Sequence, residues 1–369
     1  MPGDFPKTID AIGVEWLTEA LHAAGALPEH GAVVELSSEP VGEQGQTGEV
    51  AKLTLRYEGE RGQAPLSLVA KVPPPFEQIR QQMHAMGLYQ REVRFYQDIG
   101  DEAGISVPHC YFAGIDDDSG DFLLLLEDMS ACREGDFWLG SLEDTRTAVD
   151  ALAGMHARWW NSPKLVEFPW LVQHDDADYN VTMLGAVIKG TLPVVEQRFA
   201  EHFTGYIRDA ARKLEENWAS LTTWQPEWPF TLTHNDYHPK QFFFPTEAGG
   251  RFAVFDWQSV ASSAPTNDLA RILIYGLRPD ALREHRAELL ARYRRGLSER
   301  GVNYDAKQLE YDCRKSMLFS LFIMIFACAT SDVSILEEAA RKRGMNYLDR
   351  VFTDLGQNLE DNRVLEVLA

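Results

Sequence analysis

Two aspartates that lie twenty positions apart are the residues of this chain best placed to do chemistry. Asp236 lies in a loop that follows an apolar run, and Asp256 directly follows a second apolar run, 252–255. This layout suits phosphoryl transfer, in which one aspartate orients the attacking hydroxyl and a second holds Mg²⁺. Because that reaction depends on positioning and charge neutralisation more than on a covalent nucleophile, two carboxylates on short rigid strands can suffice.

The residues around these aspartates resemble the catalytic core of the aminoglycoside phosphotransferase and choline kinase-like superfamily. The nearest likeness is to the bacterial ecdysteroid kinase-like phosphotransferases. Their pattern is His-Gly-Asp, an Asn five residues after the Asp, and a strand that ends in Asp-Trp-Gln. His234, Asp236 and the triplet 256–258 match this pattern, whereas Asn235 replaces the Gly and Gln241 replaces the Asn.

The resemblance implies roles for these residues. Asp236 accepts or orients the proton of a small-molecule alcohol, and His234 supports the catalytic loop by hydrogen bonding. Asp256, together with Gln241, holds Mg²⁺. The reaction implied is ATP- and Mg²⁺-dependent phosphorylation of a hydroxyl group. The sequence does not identify the alcohol, and it does not distinguish ATP from GTP as the phosphate donor.

The resemblance also implies an α+β, protein kinase-like fold with two lobes. We place an N-terminal nucleotide-binding lobe, with an antiparallel sheet and a first helix, at residues 1–128. We place a mostly helical C-terminal lobe, with the catalytic loop and the substrate site, at residues 129–369. A chain of 369 residues is long enough for two cores.

A phosphate-covering loop is predicted early in the first lobe. Gly42, Gly45 and Gly48 recur at every third position, and the alternating run 51–57 that follows predicts a half-buried strand. Glycines let backbone N–H groups approach phosphate oxygens without interference from a Cβ atom. Glycine clusters are more often plain turns, so the order of the motifs supports the loop.

A lysine and a glutamate complete the predicted nucleotide site. Lys71 lies inside the apolar strand 66–72, where a charge is unusual unless it has a partner. The segment 76–99 is predicted to be mostly helical and presents Glu92, twenty-one residues after the lysine. In the superfamily the equivalent pair grips the α- and β-phosphates. The competing interpretation is a surface lysine and a solvated glutamate.

The apolar run 122–126 predicts a strand that leads into the link between the lobes. The resemblance implies that backbone groups from Glu127 to Met129 meet the edge of the adenine ring. Taken alone, the pattern would indicate only a buried strand followed by a turn.

Two further residues are predicted to support the catalytic loop. Asp268 begins an apolar helix, so it is either a helix N-cap or, as the resemblance implies, a brace that accepts backbone N–H groups of the loop. His156, in a helix predicted from about residue 142 to 160, is expected to be a hydrogen-bonded histidine packed under that loop.

Two alternatives remain open. His234, Asp236 and His238 alternate as the ligands of a zinc or manganese hydrolase would, although such an enzyme would leave Lys71 and Glu92 without a role. A catalytically impaired nucleotide-binding protein is the other alternative. Gln241 motivates it, because the side chain of Gln is longer than that of Asn by about 1.5 Å and Mg²⁺ demands strict geometry.

Composition limits the partners and the location. A net charge of −21 disfavours nucleic acid, whose phosphates would be repelled. Four cysteines without metal-binding spacing, and an N-terminus without an apolar signal region, favour a cytoplasmic protein. The apolar run 317–329 is too short to span a bilayer and predicts a buried helix, so no membrane association is expected. Oligomeric state is left open.

Overall fold

The computed structural model describes residues 4–41 and 48–368. It confirms the predicted α+β class, with an antiparallel sheet followed by a largely helical half. The chain divides into two compact units. Unit 1 comprises Met1–Arg133 and Phe243–Ser259, and unit 2 comprises Glu134–Phe242 and Val260–Ala369. The predicted division at residue 128 was drawn along the chain, whereas unit 1 takes up two separate stretches of sequence.

The first stretch of unit 1 holds a helix, three strands, two helices and two further strands. These are α1 (Val14–Ala23), β1 (Ala32–Pro40), β2 (Glu49–Glu58), β3 (Ser67–Val72), α2 (Glu77–Ala85), α3 (Leu88–Asp98), β4 (Cys110–Ile115) and β5 (Phe122–Glu127). Among the described residues these strands form an antiparallel sheet in the order β1-β2-β3-β5-β4.

Strands β2 and β3 each bury one face because they alternate apolar and polar residues, whereas the apolar strand β5 is buried on both faces. In β2, Leu53 and Leu55 are buried while Thr54 between them is exposed. In β3, Leu68 and Ala70 are fully buried, which turns Lys71 to the opposite face. Leu17 and its neighbours in α1 pack into the same core.

The predicted helix over residues 76–99 is present as two helices, α2 and α3. The break falls at Gly87, whose φ of 69° is a left-handed conformation that glycine adopts without strain. The second helix buries one face, including Tyr89, Val93 and Phe95, and Glu92 lies on this buried face.

Unit 2 is mostly helical and also contains short strands. Its helices before the catalytic loop are α4 (Leu142–Trp159), α5 (Leu184–Arg198), α6 (Tyr206–Glu216) and α7 (Trp218–Thr222). The chain contains the short strands β6 (Arg133–Glu134), β7 (Thr231–Thr233), β8 (Phe242–Phe244), β9 (Ala253–Val254) and β10 (Ala261–Ser263). Strand β7, which immediately precedes the predicted catalytic loop, pairs antiparallel with β10.

The last helices of unit 2 are α8 (Thr266–Gly276), α9 (Pro279–Ser298), α10 (Ala306–Thr330), α11 (Ser334–Lys342) and α12 (Leu355–Asp361). Helix α8 is buried along most of its length and packs against α10, and α4 packs against α9. These buried helices fix the residues that surround the catalytic loop.

The apolar run 317–329 is part of the 25-residue helix α10. Within the described residues, this is the one helix that is long and apolar enough to cross a membrane by length and composition. The argument that the run is too short to span a bilayer therefore does not apply to the whole helix. The prediction of a buried helix agrees with the structure, since 56% of the most apolar 18-residue window of α10 is buried inside the protein.

Candidate active site

Lys71 lies at the centre of an ion cluster in unit 1 in which Glu92 is buried and Asp256 is 27% exposed. Its ammonium donates to both carboxylate oxygens of Glu92, at 2.8 and 2.7 Å, which confirms the predicted ion pair. It also donates to Asp256 Oδ1 at 2.9 Å, a contact the sequence did not predict. The Lys71 side chain is 12% exposed and that of Glu92 only 1%. We call these three residues the Lys71 centre.

Burial and charge act in opposite directions at the Lys71 centre. Burial would lower the pKa of the Lys71 ammonium, but the Asp256 and Glu92 carboxylates outweigh it and raise that pKa. Burial raises the pKa of Glu92, while Lys71 opposes this. With both Glu92 oxygens accepting from Lys71, we take the carboxylate as ionised. The centre then carries one positive and two negative charges.

Helix α3 positions both carboxylates of the Lys71 centre. It carries Glu92 itself, and its Phe95 ring stacks on Trp257 with a centroid distance of 3.9 Å and an interplanar angle of 8°. Its Arg91 Nε donates to the Gln258 carbonyl at 2.9 Å. Both contacts hold the segment that follows Asp256. Asp256 itself has a φ of 63°, a left-handed conformation that non-glycine residues rarely adopt and that recurs at functional sites.

The predicted glycine loop is described only at its end. Gly42 and Gly45 lie outside the described residues. Gly48 is buried beside the lysine strand, where a Cβ atom would come within 3.2 Å of the Val72 carbonyl oxygen and 3.3 Å of Lys71 Cε. Glycine is therefore favoured at position 48 by close approach to the Lys71 side chain.

The predicted adenine-binding link follows β5. The Glu127 carboxylate forms an ion pair with Arg251 and accepts the His109 N–H at 3.0 Å, and the Arg251 hydrogen bond is the main reason that its pKa is lowered. The Glu127 backbone N–H donates to the His109 carbonyl at 2.8 Å. Met129 is 5% exposed, and its carbonyl accepts the Cys132 N–H at 2.8 Å. The adenine-binding role of this link remains a prediction.

The predicted catalytic loop of unit 2, which contains His234, Asn235 and Asp236, is braced by Asp268. This fully buried carboxylate accepts the backbone N–H of His234 at 2.8 Å and of Asn235 at 2.7 Å. The bracing role predicted for Asp268 is confirmed. The N-cap alternative is wrong, because Asp268 lies within the first turn of α8 and Pro265 precedes that helix.

His156 lies under the same brace, as predicted. It is fully buried, its Nε2 lies 3.3 Å from Asp268 Oδ2, and its Nδ1 lies 2.7 Å from the Tyr293 hydroxyl. His234 is fully buried as well, and its Nδ1 accepts the Asp236 N–H at 3.2 Å. This is the supporting hydrogen bond predicted for His234.

Asn235 occupies the position of the superfamily's glycine for a conformational reason. Its φ is 59°, and asparagine is among the few residues other than glycine that adopt this region readily. Its side-chain oxygen accepts from the Ser263 hydroxyl at 3.1 Å. The substitution therefore preserves the backbone turn that places Asp236.

The Asp236 carboxylate is surrounded by donors within unit 2. Arg271 donates to its Oδ1 through Nε at 2.8 Å and through Nη2, and His238 Nε2 lies 3.3 Å from the same oxygen. The Gln241 amide nitrogen donates to Oδ2 at 2.9 Å. Burial would raise the pKa of Asp236, but His238 and Arg271 together hold that pKa well below its usual range.

Sequence reasoning did not identify Arg271. It lies on α8 three residues after Asp268, so both side chains share a face of the helix. The three-residue spacing from Asp268 was the sequence signal from which Arg271 could have been identified. Burial lowers the pKa of His238, against the attraction of Asp236, so this imidazole is neutral near pH 7 and a poor substitute for the arginine charge.

The hydrolase alternative receives no support from this geometry. Among residues 4–41 and 48–368, no group of three or more His, Cys, Asp and Glu side chains is placed to hold a metal ion. His234 Nδ1 accepts a backbone N–H, and the arginine beside Asp236 would repel a metal cation.

The fold agrees with comparisons to known proteins. A model of the ecdysteroid kinase-like family matches residues 44–303. The chain belongs to the ecdysteroid kinase-like family. Membership supports a small-molecule phosphotransferase, and thus an enzyme of the kinase type. No curated protein matches the chain significantly.

Solved structures show the same fold as this ecdysteroid kinase-like protein at low sequence identity. Choline kinase LicA from Streptococcus pneumoniae is 14% identical with a TM-score of 0.50, covering 95% of this chain and 98% of its own. The GDP complex of wild-type aminoglycoside 2'-phosphotransferase-IIIa is 15% identical with a TM-score of 0.50, covering 95% and 98%. Amicoumacin kinase hAmiN, with AMP-PNP, Ca²⁺ and Ami, is 14% identical with a TM-score of 0.51, covering 92% of both chains.

Proposed function

We propose that this protein is an ATP- and Mg²⁺-dependent phosphotransferase that phosphorylates a hydroxyl group of a small molecule. The observation that carries the proposal is the Lys71 ammonium held between Glu92 and Asp256 in a member of a kinase-like family. A lysine buried with two carboxylates keeps its positive charge, which a nucleotide phosphate requires.

The Lys71 centre suits a nucleotide accompanied by a divalent cation. Its residues carry a net charge of about −1, which attracts a cation. Asp256 supplies hard carboxylate oxygens of the kind that Mg²⁺ prefers. Two of the similar structures hold GDP, or AMP-PNP with Ca²⁺, which supports nucleotide and metal use without choosing between ATP and GTP.

The residues of the chain divide the chemistry between them. Lys71 binds phosphate oxygens, and Glu92 holds the lysine in place. Asp256 holds Mg²⁺, which when bound neutralises charge on the phosphates. Asp236 accepts a hydrogen bond from the acceptor hydroxyl and directs its oxygen toward the phosphorus. Since arginine keeps Asp236 ionised, orientation contributes more than strong basicity.

Titration calorimetry with ATP and GTP, at several Mg²⁺ concentrations, tests the nucleotide half of the proposal. Lys71→Met should abolish the binding that the unmodified protein shows. A screen of an alcohol library for ATP consumption then tests the acceptor half, with Asp236→Asn as the inactive reference. Absence of nucleotide binding at every Mg²⁺ concentration would refute the proposal.

A further inference from the structure

The Asp236 carboxylate is held from both sides by side chains that the phosphotransferase pattern does not assign to it. Arg271 contacts Oδ1 through two N–H groups, and Gln241 contacts Oδ2 through its amide nitrogen. Both side chains are largely buried, since Arg271 is 7% and Gln241 8% exposed. Buried, charge-assisted hydrogen bonds of this kind are strong and restrict the orientation of the carboxylate.

The longer side chain at position 241 explains the contact with Asp236. The residue ends the short 3₁₀ turn Pro239–Gln241, and its backbone N–H donates to the His238 carbonyl at 2.9 Å. From this fixed backbone the amide reaches back five residues to Asp236 Oδ2. An asparagine would be shorter by one C–C bond, about 1.5 Å, and could not make the same contact without a backbone shift.

Arg271 is also fixed by its surroundings. Its guanidinium lies 5.0 Å from the centroid of the Tyr275 ring, one helical turn further along α8. Its Nη1 is buried and has no hydrogen-bond partner within the described part of the chain. A guanidinium whose buried Nη1 leaves two N–H donors unsatisfied is costly to keep, so its place beside the carboxylate needs an explanation beyond stability.

We propose that Arg271 and Gln241 are positioning residues that together hold the Asp236 carboxylate in the orientation needed to receive the acceptor hydroxyl. This inference rests on the proposed function. We call the pair the Asp236 clamp. In this protein Gln241 then serves the catalytic carboxylate, and the metal role implied by the resemblance passes to Asp256 alone.

The clamp also selects one oxygen of Asp236 for the substrate. A carboxylate offers about four lone-pair positions, two on each oxygen. Arg271 donates twice to Oδ1, and His238 lies close to the same oxygen. Gln241 makes one contact with Oδ2. The remaining lone pair is on Oδ2, so the acceptor hydroxyl donates there.

Metal binding separates the two roles of Gln241 without measuring activity. The probe is Mn²⁺ in the presence of AMP-PNP, measured by electron paramagnetic resonance. Gln241→Ala should leave the Mn²⁺ dissociation constant within about threefold, while Asp256→Asn should raise it about tenfold or more. A tenfold loss of Mn²⁺ affinity in Gln241→Ala would overturn the assignment of Gln241 to the clamp.

Turnover tests the clamp with water as the acceptor, so that no substrate need be known. ATP hydrolysis should fall about a hundredfold in Arg271→Gln with an unchanged KM for ATP, as expected for a misplaced catalytic group. Arg271→Lys should recover part of the loss. The matched control is Arg286→Gln, which removes an arginine that pairs with Glu310 elsewhere in unit 2 and should leave hydrolysis unchanged. A raised KM with unchanged turnover in Arg271→Gln would contradict the inference.

A crystal structure of the double variant Arg271→Gln, Gln241→Ala tests the clamp independently of the proposed function. The Asp236 carboxylate should occupy several orientations, while the hydrogen bonds from the loop backbone to Asp268 persist. A single, unchanged orientation of Asp236 would refute the clamp. If the unmodified protein neither binds nucleotide nor hydrolyses it, the proposed function fails, and this structure still decides whether Arg271 and Gln241 position the carboxylate.

Discussion

The Lys71 centre and the Asp236 clamp are built from the same kinds of group in opposite proportions. In the first, one ammonium contacts two carboxylates, Glu92 and Asp256. In the second, one carboxylate receives donors from Arg271 and Gln241. The first cluster therefore carries surplus negative charge, which suits a cation, whereas the ion pair of the second is balanced. Under the proposed function, the first centre binds a charged ligand, whereas the second holds the Asp236 carboxylate still.

The largest effect on turnover is expected at Asp236, the residue that the Asp236 clamp holds. Asp236→Asn keeps the shape but removes the charge that orients the acceptor hydroxyl. Turnover should fall by about 10²–10⁴-fold, while nucleotide affinity stays close to that of the unmodified protein. Steady-state kinetics and calorimetry on the same preparation check both halves. Full activity in Asp236→Asn would remove the distinction between the two centres.

Removing the cation of the first centre should cost stability as well as binding. Lys71→Met leaves Glu92 buried beside Asp256 without a positive partner, and breaking a buried pair in this way costs about 3–5 kcal/mol. The double variant Lys71→Met, Glu92→Met should recover part of this loss, because no buried charge remains unpaired at position 92. Urea unfolding measures each free energy.

Lys7→Met is the matched control for Lys71→Met in the same unit. Lys7 pairs with Asp116 at 3.4 Å, and the two side chains are 38% and 42% exposed. Its loss should cost no more than about 1 kcal/mol. Equal destabilisation by the two lysine variants would show that burial does not distinguish Lys71.

The contacts of Asp236 with Arg271 should make the stability of the fold depend on pH. The pKa of Asp236 is lower in the folded protein than in the unfolded chain, so its charge stabilises the fold above about pH 4, the unfolded value. That stabilisation is lost as the pH falls through the folded pKa. The destabilisation caused by Arg271→Gln should therefore shrink as the pH is lowered from 6 toward 3. His238 lies beside Asp236, and Arg271 helps to lower the pKa of His238, so the control background is the double variant Asp236→Asn, His238→Gln. In that background the effect of Arg271→Gln should not vary with pH over this range.

The smallest predicted effect concerns a third cation, Lys315, whose surroundings differ from those of Lys71 and Arg271. Lys315 Nζ lies 3.2 Å from the centroid of the Trp228 ring instead of between carboxylates. Burial lowers the pKa of Lys315 to about 8, only partly opposed by Asp312. Tryptophan fluorescence should therefore titrate with a midpoint near pH 8, because deprotonation of Lys315 removes the positive charge from the face of the Trp228 ring. Lys315→Met should abolish this transition, and an unchanged titration would assign it to another group.

The sequence predicted the parts of the site that follow from order along the chain. The Lys71–Glu92 pair could be predicted because a lysine in an apolar strand requires a partner and the next helix offers one. The brace by Asp268 and the position of His156 followed from the resemblance. The paired helices α2 and α3 were predicted as one, since the left-handed turn at Gly87 leaves little signal in the pattern.

The sequence did not predict contacts between residues far apart in the chain. Lys71 and Asp256 are separated by 185 positions, and Asp236 and Arg271 by 35. Periodicity and local spacing can place a residue on a helix face, as they place Arg271 beside Asp268, but they do not identify its distant partner. Gln241 illustrates the limit most clearly. Its difference from the superfamily pattern was visible, but the direction of its amide could be found only from the fold.

The division of unit 1 into two stretches of sequence has a consequence for synthesis. The segment Phe243–Ser259, which carries Asp256, joins a unit whose other residues end at Arg133. The 126 residues from 134 to 259 must be added before that unit can be completed. At about 5–20 residues per second this takes about 6–25 s, during which the nascent unit lacks strand β9, Asp256 and Trp257. Ribosome-associated chaperones would meet the unfinished unit in that interval.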